Sequence, residues 1–226
     1  MKNWKKYSFE FLLIFIAVIS AFILNSWNEN RKNNITESKI LTEIYNGLEK
    51  DLNDIDGNLM GHKMGNQSVH YFKDFLSKKP VAQDSLLMHY FKLTRDFISV
   101  QNTSGYENLK SRGLEIIQND SLRTEIISLY EYDYNTIRKL EESYYEMQFQ
   151  QNYFKEINQT LSKCFILDAD NKIIGIDSNK KIAEDEKRIL LTYLWKIKTN
   201  RNFMMAEYEK TKIKIIDLMK KIKNRN

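Results

Sequence analysis

The chain has 226 residues, of which 42% are hydrophobic and 29% are charged, so it has enough apolar surface to fold and is not an intrinsically disordered protein. Only seven glycines and one proline argue against sheet-rich folds, whose many tight turns depend on those two residues. The net charge of +5 arises from 35 basic and 30 acidic residues that are mostly interspersed. This pattern is typical of solvated helix faces and does not indicate a nucleic-acid-binding protein.

The first element is an uncharged apolar run, Phe11 to Leu24. With its flanks, from Tyr7 to Trp27, it reaches about 21 residues and ~31 Å of helix, which matches a bilayer. Trp4, Tyr7 and Trp27 stand where aromatic rings favour the two membrane interfaces. We therefore predict a transmembrane helix over residues 7–27.

A cleaved signal peptide is the alternative interpretation of this run, because it also combines basic residues with an apolar core. The small residues that cleavage needs, Ala17, Ser20 and Ala21, lie inside the run and not after it. The sequence therefore favours a retained anchor.

The orientation follows from the basic residues around the span. Lys2, Lys5, Lys6 and the terminal amine crowd the first six residues, whereas Arg31 and Lys32 on the other side have acidic neighbours. The positive-inside rule then places residues 1–6 in the cytoplasm and residues 28–226 outside the cytoplasmic (inner) membrane.

Glu10 lies one turn into the predicted span, where a carboxylate is costly and is a candidate functional group. It either reaches back towards Lys5 or Lys6 or stays protonated, or it binds a partner or handles a proton. We assign the residues at the two interfaces as a membrane-interface set: Trp4, Lys5, Lys6, Tyr7, Glu10, Asn25, Trp27, Asn28, Arg31 and Lys32.

The same segment resembles the N-terminus of an uncharacterised family of single-pass membrane proteins from Gram-negative bacteria. That family has a Glu at the start of an apolar helix and an exit motif Asn-x-Trp-Asn-Glu-x-Arg-Lys, matched here by Glu10 and by residues 25–32. A second similarity lies in the middle of the chain, at Tyr106, Asn108, Leu109, Ser111, Gly113, Leu114, Ile117, Asn119 and Leu122. The resemblance implies a retained anchor and an all-helical outer domain, and it implies no activity.

After the anchor, the apolar residues between Ile35 and Leu76 alternate in steps of four and three, which predicts a helix with a heptad seam. The register continues through the polar His62 and Asn66, and Pro80 follows the predicted end of the helix. The polar stretch between span and seam has neither Pro nor Gly, so helix can continue out of the bilayer. The seam residues are Leu41, Tyr45, Leu48, Leu52, Ile55 and Leu59.

Gly57, Gly61 and Gly65 recur every four residues in this helix, although each destabilises it by about 1 kcal/mol relative to Ala. We interpret them as a face, away from the seam, that lets another helix approach closely. A locally weak or kinked helix is the equal alternative.

The predicted bundle is completed by three further helices and one short helical piece. A second helix begins at Asp84 as its N-cap and runs through residues 86–98, and a short piece covers Tyr106 to Arg112. A long helix capped by Asp120 runs to about Lys163, and the last runs from about Ala183 to Lys223. Three helices of about 40 residues, or ~60 Å each, favour antiparallel packing.

A small β-hairpin is the only strand signal, over about residues 164–177 with Asp168 at its turn. The aspartates there do not make a calcium loop, because Ile173 stands where such a loop needs glycine and no Glu follows at the twelfth place. The C-terminal helix carries several lysines around an apolar stripe; we expect the stripe to join the bundle and a basic face to remain solvated.

Metal and catalytic motifs are sparse. Cys164 is the only cysteine, so neither an internal disulfide nor a Cys/His zinc spacing exists. Met60, His62 and Met64 contain soft ligands suited to copper, but alternate residues do not share a helix face. No HExxH, GxSxG or phosphate-binding glycine loop occurs, and we expect no cofactor, no metal, no small-molecule substrate and no enzyme.

We predict an all-α protein with an N-terminal transmembrane helix, an elongated antiparallel bundle and one hairpin. Its expected partners are the lipid bilayer and a protein, either another protein or a second copy. The predicted role is an assembly, adaptor or scaffold element. The alternative is a ligand sensor that signals through a partner in the membrane, because rigid helices transmit small shifts.

Overall fold

The computed structural model describes residues 2–225, without the side chains of Lys2, Asn3 and Lys5. It confirms the predicted all-α class with one hairpin. The α-helices are α1 Lys2–Leu76, α2 Leu86–Leu93, α3 Ser104–Arg112, α4 Asp120–Ile127, α5 Tyr134–Glu142, α6 Phe149–Asn152, α7 Phe154–Leu161 and α8 Glu184–Asn224. The strands are β1 Phe165–Leu167 and β2 Ile173–Ile176.

Helix α1 joins the predicted membrane span to the bundle without a break. It has 75 residues, which at 1.5 Å per residue is about 110 Å. No Pro or Gly interrupts residues 25–46, so nothing in this part of the sequence breaks the hydrogen-bond ladder. The helix ends at Leu76, and Lys78 follows with a left-handed φ of 59°.

Helix α8 returns antiparallel beside α1. Arg225, which follows its last residue, pairs with Glu37 near the start of the bundle. The ammonium of Lys198, nearer the N-terminus of α8, lies 3.3 Å from Nε2 of His70. The buried residues of α8 alternate in steps of four and three, as in a heptad seam. They are Leu190, Leu194, Ile197, Arg201, Met204, Tyr208, Thr211, Ile215, Leu218 and Ile222.

The single long helix predicted from Asp120 to Lys163 is wrong. The chain forms α4, a π-helical segment over Ser128–Asp133, α5, a 3-10 turn over Tyr145–Met147, and then the short α6 and α7. The break comes after Ser143, where the backbone N–H groups of Ser143 and Tyr144 both donate to the Lys139 carbonyl. A tertiary contact stabilises the new direction, because the Asp96 carboxylate accepts the N–H of Phe149 at 2.7 Å.

Two predicted helix starts need smaller corrections. Helix α4 has Asn119 as its N-cap, and the Asn119 side chain accepts the N–H of Leu122 at 3.0 Å; Asp120 is the first helical residue. Helix α2 has Ser85 as N-cap and not Asp84, and it ends at Leu93 and not at residue 98. The chain from Arg95 to Thr103 is irregular.

The predicted hairpin is confirmed. Strands β1 and β2 pair antiparallel, with Phe165 opposite Ile176 and a bulge between Ile166 and Leu167. Gln83 ties the hairpin to the chain before α2, since its side chain accepts the N–H of Ile176 at 2.8 Å and donates to the Ile176 carbonyl at 3.2 Å. The hairpin therefore closes the end of the bundle at which α1 finishes and α8 begins.

Candidate functional site

The first candidate site is the apolar N-terminal part of α1. Every described side chain from Trp4 to Asn34 is exposed, and no residue of the most apolar 18-residue stretch is buried. By length and composition this is the one helix, within residues 2–225, that can cross a membrane. An exposed apolar surface of this extent marks a membrane or protein contact.

Polar contacts flank this apolar segment at both ends. The Glu10 carboxylate lies 4.0 Å from the Lys6 ammonium one turn earlier, and the side chain of Lys5 lies outside the described residues. At the other end the Arg31 guanidinium stands 5.9 Å from the centre of the Trp27 ring. The Asn25 amide donates to Glu29 at 3.3 Å, so both ends carry the polar and aromatic groups that suit membrane interfaces.

The seam residues of α1 face the bundle. Leu41, Leu48, Ile55 and Leu59 are at most 3% exposed, and Tyr45 and Leu52 are partly buried against the same core. The register continues inside the bundle through His62, which is 2% exposed. Of the polar middle of the seam, His62 is buried with the apolar part, whereas Asn66 is half-buried and donates to Asn202 at 2.8 Å.

The three glycines of α1 have three different surroundings. A Cβ at Gly61 would overlap the ring of Phe97, and one at Gly65 would overlap the side chain of Arg201, whereas nothing lies within 4 Å of a Cβ at Gly57. Gly61 and Gly65 are buried, and the space beside each is filled by a side chain and not by the backbone of another helix. The close backbone approach occurs elsewhere, at Gly105 of α3, where a Cβ would stand 2.8 Å from the Ile44 nitrogen.

The second candidate site is the Arg201 centre, formed by Arg201 of α8 and the groups around its guanidinium. Arg201 is 0% exposed. One terminal nitrogen donates to the carbonyls of Leu93 at 3.0 Å and Arg95 at 2.9 Å. These carbonyls lie at the end of α2, so the arginine satisfies backbone groups that the helix leaves unpaired and meets the negative end of its dipole.

The other faces of the guanidinium meet rings. The centre of the Phe149 ring is 4.4 Å away and that of Phe97 is 5.5 Å away, both within cation–π range. Its second terminal nitrogen lies 3.2 Å from Nδ1 of His62. Burial, reinforced by the nearby Arg201 charge, lowers the pKa of His62 to about 3, so this histidine is neutral and Nδ1 accepts.

The burial of Arg201 also lowers its own pKa to about 10, while the Asp96 charge opposes that change. The arginine therefore stays protonated at neutral pH. Within residues 2–225, its Nε and the Nε2 of His62 have no hydrogen-bond partner. The charge is stabilised by carbonyl dipoles and rings, and no carboxylate forms an ion pair with it among the described residues.

Acidic side chains hold the irregular connection between α2 and α3. The backbone N–H groups of Ser99, Val100 and Asn102 donate to Glu141 at 3.1 Å, Asp54 at 3.0 Å and Asp51 at 2.8 Å respectively. These three N–H groups, which no helix or sheet satisfies, thus have carboxylate acceptors. We call these three carboxylates and the segment over residues 99–102 the carboxylate strap.

Tyrosines complete the strap from the core side. Tyr134 donates to Asp51 at 2.6 Å, and Tyr208 donates to Glu141. Burial raises the pKa of both carboxyls, although their hydrogen bonds oppose the rise. The strap therefore joins α1, α5 and α8 through buried acids.

The copper hypothesis has no geometric support at the Met-His-Met string. Met60 is 65% exposed while His62 is buried against Arg201, so the two side chains point to different surroundings. Among the described residues, no group of three His, Cys, Asp or Glu side chains has the geometry to hold a metal ion. Cys164 is buried, and burial raises the pKa of its thiol.

The expected solvated basic face on the last helix is present in part, since Lys220 and Lys223 are exposed, but other lysines of this face pair with acids on other helices. Lys212, Lys214 and Lys221 pair with Asp56, Asp133 and Glu125 respectively, at 2.5, 2.6 and 2.7 Å. The apolar stripe does join the bundle, since Ile215, Leu218 and Ile222 are at most 2% exposed. These lysines serve as cross-links between helices, and the Lys214–Asp133 and Lys221–Glu125 pairs line a groove of about 210 Å³.

Sequence reasoning missed the Arg201 centre and the carboxylate strap. A signal for Arg201 was available, because it occupies one step of the four-three pattern in α8 between Ile197 and Met204. No sequence signal marks Asp51 or Glu141, because carboxylates are frequent on every helix. Only the path of the connection over residues 99–102 distinguishes them.

Comparison with known proteins identifies a family but no activity. The model of a family of unknown function (DUF6090) matches residues 10–192, which is about four fifths of the chain. Neither the curated proteins nor the solved structures gave a match. The chain belongs to this family of unknown function.

Proposed function

We propose that this member of the DUF6090 family is a single-pass protein of the cytoplasmic membrane whose helical bundle acts outside that membrane through protein contacts, as an assembly, adaptor or scaffold element. The observation that carries the proposal is the exposed apolar segment of α1, continuous with a helix whose later residues are buried in the bundle. Lipid is the solvent that such a segment requires. The basic residues before it favour a cytoplasmic N-terminus.

The polar sites of the bundle support a role without chemistry. The Arg201 centre and the carboxylate strap use their hydrogen bonds on groups of the same chain. Both stabilise the relative positions of helices, because their hydrogen bonds join separate elements of the bundle. A rigid body of this kind presents surfaces at a fixed distance from the membrane.

Membrane fractionation tests the anchor. The full-length chain, with its first 30 residues intact by mass spectrometry, should remain in membranes after an alkaline carbonate wash. In right-side-out vesicles, added protease should digest the bundle and leave a protected N-terminal fragment. A shortened chain in the aqueous fraction would refute the anchor, and a bundle protected from protease would refute the orientation.

Crosslinking in intact membranes followed by copurification tests the protein contacts. We expect the full chain to be recovered in a discrete crosslinked complex of fixed composition, either with another protein or with itself. Recovery as an uncrosslinked monomer over a range of crosslinker lengths would contradict the scaffold role.

A ligand sensor is the second candidate, favoured by the unbroken path of α1 from span to bundle. A displacement of the bundle against the span is transmitted by a continuous helix with little loss. In a thermal-shift screen on the full chain in detergent, a sensor gains stability from one specific small molecule. A scaffold shows no such gain.

A further inference from the structure

One face of α1 is exposed along most of the helix. Positions 7, 11 and 18 residues apart lie within about 20° of one line along an α-helix. Counted from Glu10, that line defines the outer face, whose members are Glu10, Ala17, Ala21, Asn28, Ile35, Lys39, Asn46, Asn53 and Gly57.

The outer face points away from the bundle. All nine residues are exposed, Ile35 to 48%, and nothing lies within 4 Å of a Cβ at Gly57. The bundle packs on the other side of the helix: Ile44 and Leu48, each two residues from Asn46, are 0% exposed, and residues two apart on a helix do not face each other. From Ala17 to Gly57 the outer face extends about 60 Å.

The chemistry of this face differs from that of its flanks. Beyond the membrane exit it carries three amides, one aliphatic residue, one glycine and a single charge at Lys39. The exposed residues beside it are strongly charged, including Arg31, Lys32, Glu43, Glu49, Lys50 and Asp56. This strip therefore has a lower charge density than its flanks. In coiled coils a polar Asn or Lys at a contact position specifies the register and the number of helices, at a cost in stability, and the amides and Lys39 can serve in that way.

The orientation of the protein in its membrane narrows the choice of partner. Every copy enters the bilayer the same way round, so two copies meet with their α1 helices parallel and each residue of the outer face opposite its own counterpart. An amide carries both a donor and an acceptor, so Asn28, Asn46 and Asn53 are complementary to themselves. Within the span, Ala17 and Ala21 are four apart and let two helices approach closely.

We propose that a second copy of this chain docks on the outer face, forming a parallel pair of α1 helices that runs through the membrane and up the bundle. The proposal rests on the proposed function, because it needs the retained anchor and names the protein partner. Lys6, one turn before Glu10, supplies cations close to the two carboxylates that the pairing brings together. The bundles then lie on opposite outer sides of the pair.

Cysteine crosslinking of the full chain in intact membranes tests the proposal. A disulfide requires Cα atoms within about 7 Å, so Asn46→Cys and Asn53→Cys should each give a disulfide-linked dimer on mild oxidation. Lys63→Cys is the matched control, because Lys63 is exposed on α1 but off the outer face. The parental chain, whose only cysteine is buried, gives the baseline.

We expect at least tenfold more dimer from the two outer-face variants than from Lys63→Cys. Adding Asn46→Glu to Asn53→Cys should lower its dimer yield several-fold, since like charges then face each other, while thermal unfolding stays unchanged. Lys63→Glu in the same background should leave the yield unaltered.

Baseline yields at positions 46 and 53, equal yields at position 63, or disulfide adducts with other proteins in place of the dimer would each overturn the pairing. The same membranes separate this failure from that of the proposed function. A chain that stays in carbonate-washed membranes without the dimer refutes only the pairing. A processed chain in the aqueous fraction refutes the anchor and the pairing together.

Discussion

Gly57, Gly61 and Gly65 occupy successive turns of α1, and they differ only in what lies opposite them. Phe97 fills the space at Gly61 and Arg201 fills it at Gly65, while Gly57 faces open space. All three lack the stabilisation that Ala would give the helix. At two of them the packed side chain offsets that loss.

Alanine substitutions should therefore change stability in opposite directions. Gly57→Ala should raise the free energy of unfolding by about 0.5–1 kcal/mol, because it adds helix propensity without a clash. Gly61→Ala and Gly65→Ala should each lower it by about 1–3 kcal/mol through overpacking. Chemical denaturation of the full chain in detergent measures all three, and a loss of stability at Gly57 equal to that at Gly65 would contradict this account.

Arg201 shows why a charge can lie in this core. Moving a guanidinium out of water is costly unless its donors are used. Here one nitrogen meets carbonyls at the end of α2, and Phe149 stacks against the plane. Gly65 of α1 leaves the space that the Arg201 side chain of α8 occupies, so the packing of these two helices depends on both residues.

At the scale of elements, the carboxylate strap satisfies backbone N–H groups, as the hydrogen-bond ladder does in a β-sheet. The connection from α2 to α3 has no regular structure, and three of its N–H groups are satisfied by acids on α1 and α5. The Asp51 and Glu141 carboxyls are desolvated, and this burial raises the pKa of each. Folding therefore makes both groups hold their protons more tightly.

This tighter proton binding determines the direction in which the free energy of unfolding changes with pH. The relevant pH window runs from the ordinary pKa of Asp51, 3.8, up to its raised pKa in the folded state. In this window the folded state binds more protons than the unfolded state. The contribution of Asp51 to the free energy of unfolding therefore falls as pH rises. In Asp51→Asn that contribution is absent, and the wild-type curve should fall more steeply than the variant's across this window. Denaturant unfolding at a series of pH values gives both curves.

Asp170→Asn is the control for this comparison, because the Asp170 side chain is 74% exposed. Its curve should follow the wild type across the same window. A variant curve for Asp51→Asn that is parallel to the wild type would show that Asp51 titrates alike in the folded and unfolded chains.

At the scale of the whole molecule, one helix sets the distance between the exposed apolar segment and the bundle. Residues 28–34 of α1 are exposed, and Glu37 is the first buried residue among those whose side chains the structure describes. The distance between Trp27 and the bundle thus depends on helix continuity over about ten residues, or ~15 Å.

A proline in this stretch should separate the two parts mechanically. Asn33→Pro removes a backbone donor and clashes with the preceding turn, so it should bend or loosen α1 while the bundle core stays intact. Spin labels at Ser26→Cys and Glu49→Cys, in bilayers where an excess of unlabelled chain leaves only distances within one chain, should report one narrow distance of about 35 Å in the otherwise unchanged chain and in Asn33→Ala. Asn33→Pro should give a broad distribution. A narrow distribution in all three would show that the connection is held by something other than the helix.

The sequence by itself determined the apolar run of α1, the four-three spacing of its seam and the position of the hairpin, because these depend on the local order of polar and apolar residues. Only the tertiary structure decided where the Asp120–Lys163 stretch breaks, how α2 ends and why Arg201 and Asp51 are buried. There, Asp96, Arg201 and the strap acids satisfy backbone groups of segments distant in sequence, and such a pairing depends on the path of the chain in space, which local periodicity does not encode.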